Sequence, residues 1–126
     1  MSLSQAATTL DCGDVAAVST FWAQALGRPV APGASPYFAM IAAGPAGELP
    51  WLFLAVPEGK TAKNRMHVDF HSTDRPGDVA RLLALGATHV ADHDEWGTRW
   101  TTLQDVEGNE FCIADPVAPK GDSQPG

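Results

Sequence analysis

Basic residues, cysteine and long apolar runs are all scarce in this sequence, and each shortage removes a class of function. Eight Lys and Arg stand against fifteen Asp and Glu, giving a formal net charge of −7 and an isoelectric point near 4.8. Such a surface repels a phosphate backbone, so no nucleic-acid partner is expected. Cysteine occurs only at Cys12 and Cys112, far apart and without CxxC spacing. That excludes a disulfide framework or a zinc knuckle and fits buried thiols in a reducing compartment. No segment approaches the roughly 20 uninterrupted apolar residues that span a bilayer, and no basic stretch followed by an apolar run opens the chain. The expectation is a cytoplasmic protein with no membrane association.

What is present suffices for one folded domain over residues 1–126. Hydrophobic residues make up 44% of the chain and include four Trp and five Phe, enough for a core. Residues 1–6 and 116–126 are expected to be flexible, the tail being rich in Pro, Gly and polar residues.

The chain repeats itself once. Thr8-Thr9-Leu10-Asp11-Cys12 reads as a short strand, after which Asp14 can cap a helix with Val15, Val18, Phe21, Trp22, Ala25 and Leu26 on its apolar side and Gly27 at its end. Met66-His67-Val68-Asp69-Phe70 reads as a second such strand. Asp74 then caps a helix with Pro76 in its first turn, Val79, Leu82 and Leu83 on one face, and Gly86 at its end. Asp69 lies 58 positions after Asp11, and Leu85-Gly86 lies 59 after Leu26-Gly27. Strand-like segments follow each helix: Tyr37 to Ile41 and Trp51 to Val56, then His89-Val90, Arg99 to Leu103 and Glu110 to Ile113. Gly44-Pro45-Ala46-Gly47 and Glu107-Gly108-Asn109 supply hairpin turns. Each half therefore predicts a strand, a helix and about three antiparallel strands, with module one over about 7–58 and module two over about 64–115.

Four segments carry a family likeness: Leu10-Asp11-Cys12-Gly13-Asp14, Phe21-Trp22-Ala23-Gln24-Ala25-Leu26-Gly27, Lys63-Asn64-Arg65-Met66-His67-Val68-Asp69 and Asp105-Val106-Glu107-Gly108-Asn109-Glu110-Phe111-Cys112. Together they cover about residues 8 to 115, and the sequence resembles the vicinal-oxygen-chelate superfamily, in its small glyoxalase-like branch. The resemblance implies an α+β fold of two βαβββ modules whose curved mixed sheets form a central cleft. It also implies pairing into a homodimer, which fits the need to cover sheet edges. It does not select a reaction, because isomerases, dioxygenases, thiol transferases and drug-sequestering proteins share the frame.

Metal-dependent members place a ligand on the first and on the last strand of each module. His67 is the only matching position here. The first-module counterpart falls at Ala7, Cys112 stands where Glu is usual, and Trp51 to Leu54 offer no donor. A catalytic metal site needs about three protein ligands with an open position, so no metal cofactor is expected, and no catalytic residue can be assigned. Period-2 alternation puts His67, Asp69 and His71 on one face of their strand, able to line a pocket or to bond locally. By the repeat, Asp11 mirrors Asp69. Trp51, Trp96 and Trp100 could stack on a flat ligand or simply pack. Lys60, Lys63, Asn64 and Arg65 could hold an anionic group or form a solvated connector. His89 and His93, with Asp92, Asp94 and Glu95, read as a solvated loop.

The expectation is thus a small-molecule-binding protein without a metal. Its ligand contacts are drawn from His67, Asp69, Asp11, Trp51, Trp100 and Cys112. The alternative is a lyase, isomerase or dioxygenase whose divalent metal is held by residues such as Asp11 or His71. A module that only contacts other proteins would instead present a flat apolar surface and no pocket.

Overall fold

A computed structural model describes residues 2–116 of the 126; Met1 and residues 117–126, most of the tail expected to be flexible, lie outside the described residues. The chain divides into two compact units at the Ala62/Lys63 junction, within a few residues of the module boundary read from the repeat. Among the described residues no helix is long and apolar enough to cross a membrane.

The first unit runs β1 (Thr8–Cys12), α1 (Val15–Leu26), β2 (Phe38–Ile41) and β3 (Trp51–Ala55). As expected, the Asp14 side chain caps α1 by accepting from the Ala17 amide, and Gly27 ends it in the left-handed region at φ 67°. β3 is central, parallel to β1 and antiparallel to β2. α1 buries Val15, Val18, Phe21 and Trp22, and the sheet contributes Cys12, Ala39, Ile41, Trp51 and Phe53. Each large side chain buried this way stabilises by roughly 1.5–3 kcal/mol. Of the three strands expected after the helix, only two form; the third is reduced to one bridge between Val30 and Ile41. Pro29, Pro32 and Gly33 flank Val30 and interrupt the ladder there.

The second unit runs β4 (Val68–His71), α2 (Arg75–Leu85), β5 (Thr88–Glu95), β6 (Thr98–Gln104) and β7 (Glu110–Ala114), with sheet order β4-β7-β6-β5. β4 and β7 are parallel; the other pairings are antiparallel. Asp74 caps α2 through the Gly77 amide. Two boundaries differ from the sequence reading. β4 starts one residue after His67, and the charged stretch His89 to Glu95 is a strand, not a loop. Its alternation places Ala91 and His93 on one face and Asp92 and Asp94 on the other; β5 pairs with β6 along its length except for a register shift between His89 and Ala91.

The repeat holds in the pairing register. Asp11 faces Leu54 across β1 and β3, and Asp69 faces Cys112 across β4 and β7, so both members are displaced by 58 positions (69 − 11 and 112 − 54). At that offset the first-unit counterpart of His67 is Thr9, not Ala7, and Leu54 is the counterpart of Cys112.

Candidate functional site

One face of the second sheet is packed under α2 by Phe70, Phe111, Ile113 and Leu103. The opposite face bears a cleft of about 650 Å³ whose lining includes His67, Asp69, His71, Trp100, Thr102 and Cys112. The pairing fixes its floor. One row across the strands reads Asp69, Cys112, Thr102 and Ala91, and the next reads His71, Ala114, Trp100 and His93. Ala91 and Ala114 are the small members of these rows, so the floor is low where they lie.

His67 and Asp69 act as a pair. Nδ1 of His67 lies 2.9 Å from Oδ1 of Asp69. A carboxylate only accepts, so Nδ1 carries the hydrogen of this contact, and Nε2 is an acceptor whenever that is the ring's one hydrogen. Cys112 is buried at 7% exposure, with its sulfur 3.4 Å from Oγ1 of Thr102. Burial pushes its thiol above the ordinary range; the Asp69 carboxylate pushes the same way, against the Thr102 hydroxyl, which lowers it. The thiol is therefore held neutral at physiological pH, the opposite of what a nucleophilic cysteine needs.

His67 is placed by the segment before β4. Glu110, 9% exposed, accepts from the backbone amide of Asn64 at 2.8 Å, while the Asn64 amide group donates to the Glu110 carbonyl at 3.2 Å. Glu110 is in turn presented by the turn Asp105 to Asn109. Asp105, 2% exposed, accepts from the amides of Glu107 and Asn109 and from the Asn109 side chain. Gly108 takes φ 88° there. The motif Asp-x-Glu-Gly-Asn-Glu thus serves a closed turn and a latch. Asn64, a candidate anion contact by sequence, is engaged by Glu110 instead; of its basic neighbours, Lys63 lines the cleft.

Of the six residues singled out by sequence, His67, Asp69, Trp100 and Cys112 meet in this cleft. Asp11 and Trp51 belong to the first unit. Asp11 is exposed on β1, and Trp51 is 6% exposed with its ring 4.6 Å from that of Trp22, which leaves it little surface for a ligand. Sequence reasoning did not single out Thr102, His93, Ala91 or Ala114 for this cleft. Thr102 stands in a strand recognised from the sequence and Ala114 directly follows one, and period-2 counting from Trp100 and Cys112 reaches both. The first unit has a hollow of its own, about 590 Å³, lined by Asp14, Ser19, Thr20 and Ser35 among others, but it gathers no His or Cys.

Single donor atoms of His67, Asp69 and Cys112 lie within 4.8 Å of one another. One imidazole, one carboxylate and one thiol do not suit a hard divalent ion, which takes oxygen donors. His67 and Asp69 are hydrogen-bonded to each other and the Cys112 thiol is buried, so a softer ion would have to displace that hydrogen bond and the thiol proton.

Comparison with known proteins follows the same lines. The chain is similar in structure to a glyoxalase/bleomycin resistance protein/dioxygenase family enzyme from Burkholderia phytofirmans PsJN, at TM-score 0.73 and 20% identity over 89% of this chain and 98% of that one. It is similar to the fosfomycin resistance protein FosX from Listeria monocytogenes at TM-score 0.74 and 16% identity, covering 93% and 96%. Against lactoylglutathione lyase from Agrobacterium tumefaciens the values are TM-score 0.65 and 16% identity, covering 89% and 92%. At these identities the likeness is one of fold. No curated protein sequence matches the chain. The glyoxalase-like domain profile matches residues 7–114, nearly the whole length, and the chain belongs to the glyoxalase-like domain family.

Proposed function

We propose that this protein binds a small organic molecule against the open face of the second sheet and does so without a metal ion. The observation that carries the reading is the cleft itself, where the paired His67 and Asp69 and the neutral Cys112 thiol stand beside Trp100. Ligand sites of this kind combine a mostly apolar lining with a few fixed polar groups that orient the ligand. The Asp69 carboxylate and Nε2 of His67 serve as acceptors, Thr102 as donor or acceptor, and Trp100 as the apolar wall. The protein sequesters its ligand by these contacts. A proton transfer to Nε2 is the one chemical step the pair could add.

Isothermal calorimetry of a panel of small aromatic and aliphatic molecules, on wild type, His67→Ala and Asp69→Asn, tests this. Saturable binding that weakens about tenfold or more in either variant is expected, since a hydrogen bond to a charged group contributes about 1.5–3 kcal/mol. Binding untouched by both variants would remove the cleft from consideration. Elemental analysis of the purified protein supplies the second arm: metal at one equivalent per chain, lost in Cys112→Ala, would overturn the metal-free reading.

A further inference from the structure

Trp96 is a large aromatic side chain of the second unit that takes no part in its core. It sits with Gly97 in the two-residue turn joining β5 to β6, where Glu95 pairs with Thr98. Both turn residues have positive φ, 54° at Trp96 and 74° at Gly97, the pattern of a type I′ hairpin. That turn favours Asn or Asp before Gly; a bulky side chain in the left-handed region is disfavoured. Among the described residues Trp96 is the only non-glycine residue with positive φ, and it is 87% exposed. Backbone strain and an exposed indole at one position point toward a ligand-directed role.

The surroundings indicate which ligand. The Trp96 ring lies 6.1 Å from that of Trp100 at an interplanar angle of 12°, and the His93 ring lies 4.7 Å from that of Trp100 at 17°. Three near-parallel rings form a column at the β5–β6 side of the cleft, and all three line it. Trp96 is largely exposed, so indole surface is left for a further ring in the same orientation. The β4–β7 side of the same cleft carries the Asp69 and Glu110 carboxylates against the single ammonium of Lys63.

We propose that Trp96 is a stacking platform for a flat aromatic ligand whose cationic or donor group points to Asp69 across the sheet face. This rests on the small-molecule reading above and narrows it to a chemical class. Stacking on an indole face suits any planar π-system, and a cationic ring gains further from the indole quadrupole.

The test uses 9-aminoacridine as the flat cation, naphthalene-1-sulfonate as the flat anion and cyclohexylamine as the non-planar cation, titrated into wild type, Trp96→Gly, Trp96→Phe and Asp69→Asn. Glycine accepts the left-handed backbone, so Trp96→Gly is expected to melt no lower than wild type. It should bind 9-aminoacridine about tenfold more weakly. Trp96→Phe should recover part of that loss, and wild type should prefer 9-aminoacridine to the other two probes. Equal affinity of wild type and Trp96→Gly for 9-aminoacridine would overturn the proposal. So would cyclohexylamine binding as tightly, or a Trp96→Gly variant that changes oligomeric mass but not dye affinity. Dye binding lost in Asp69→Asn but unchanged in Trp96→Gly would remove the platform and leave the cleft. Failure of all three probes, together with the calorimetric panel, would overturn both readings.

Discussion

At Cys112 the neighbours pull in opposite directions, and burial with the Asp69 carboxylate outweighs the Thr102 hydroxyl, so the thiol titrates above its ordinary range. The consequence can be measured as alkylation. Iodoacetamide should label the folded protein slowly at neutral pH and accelerate only on the alkaline side of a free thiol, with Cys112→Ala supplying the background from buried Cys12. Asp69→Asn removes a negative charge that raises the thiol, so its labelling should speed up severalfold at a given pH; an unchanged rate would separate Asp69 from the thiol. The sequence was informative at this scale where alternation applied: His67, Asp69 and His71 fell on one face as counted. It was silent on the bond between His67 and Asp69, which depends on rotamers, and on the fate of Trp51, whose exposure depends on packing against Trp22.

Helices and turns were the most legible elements, because caps are local chemistry. Asp14→Ala should lower stability by about 1 kcal/mol in denaturant titration, the usual cost of a lost N-cap acceptor. The closing turn depends more on one side chain. Asp105→Ala strands two backbone amides and the Asn109 side chain, and a loss of about 2 kcal/mol is expected, with β7 loosened in hydrogen exchange. On the helix side of the sheet, Thr101 accepts from Nη1 of Arg75 and donates to Asp92 at 2.8 Å, while Arg75 also holds Asp115 at 2.9 Å. The Thr101 hydroxyl, then the His89 hydrogen bond, hold the Asp92 carboxyl below its usual 3.8. A lowered carboxylate contributes stability that is present above the unfolded value and is lost as pH falls through the folded one. Thr101→Val should therefore be less stable at neutral pH, with a shallower loss of stability below pH 3.8. This network is hidden from the sequence because only His89-Val90 of β5 reads as strand, while its charged remainder reads as a solvated loop. Asp92 and Asp94 lie on one face of an edge strand and Glu95 on the other with His93, and density of charge alone does not separate such a strand from a loop.

For the whole molecule, duplication was readable from two spaced motifs, and the common register offset of 58 is its structural counterpart. The relation of chemistry to that duplication was not readable, since strand register is set by pairings distant in sequence. With Thr9 in the place of His67 and Leu54 in the place of Cys112, the polar set is not mirrored in the first unit. Calorimetric titration should accordingly give close to one site per chain. If the expected twofold dimer forms, light scattering should report about twice 13.3 kDa, with two ligands per particle.

The same asymmetry makes the two halves unequal in their tolerance of change. In the first unit, a substitution is expected to matter in proportion to how deeply the side chain is buried, with Phe53 and Ile41 at 0% exposure the least replaceable. In the second unit that rule breaks at His67, Asp69 and Trp96, which are exposed and yet would resist replacement under selection for ligand binding. A saturation library sorted first for folding and then for binding would show them as losses in the second sort alone, and so locate the site without knowledge of the natural ligand.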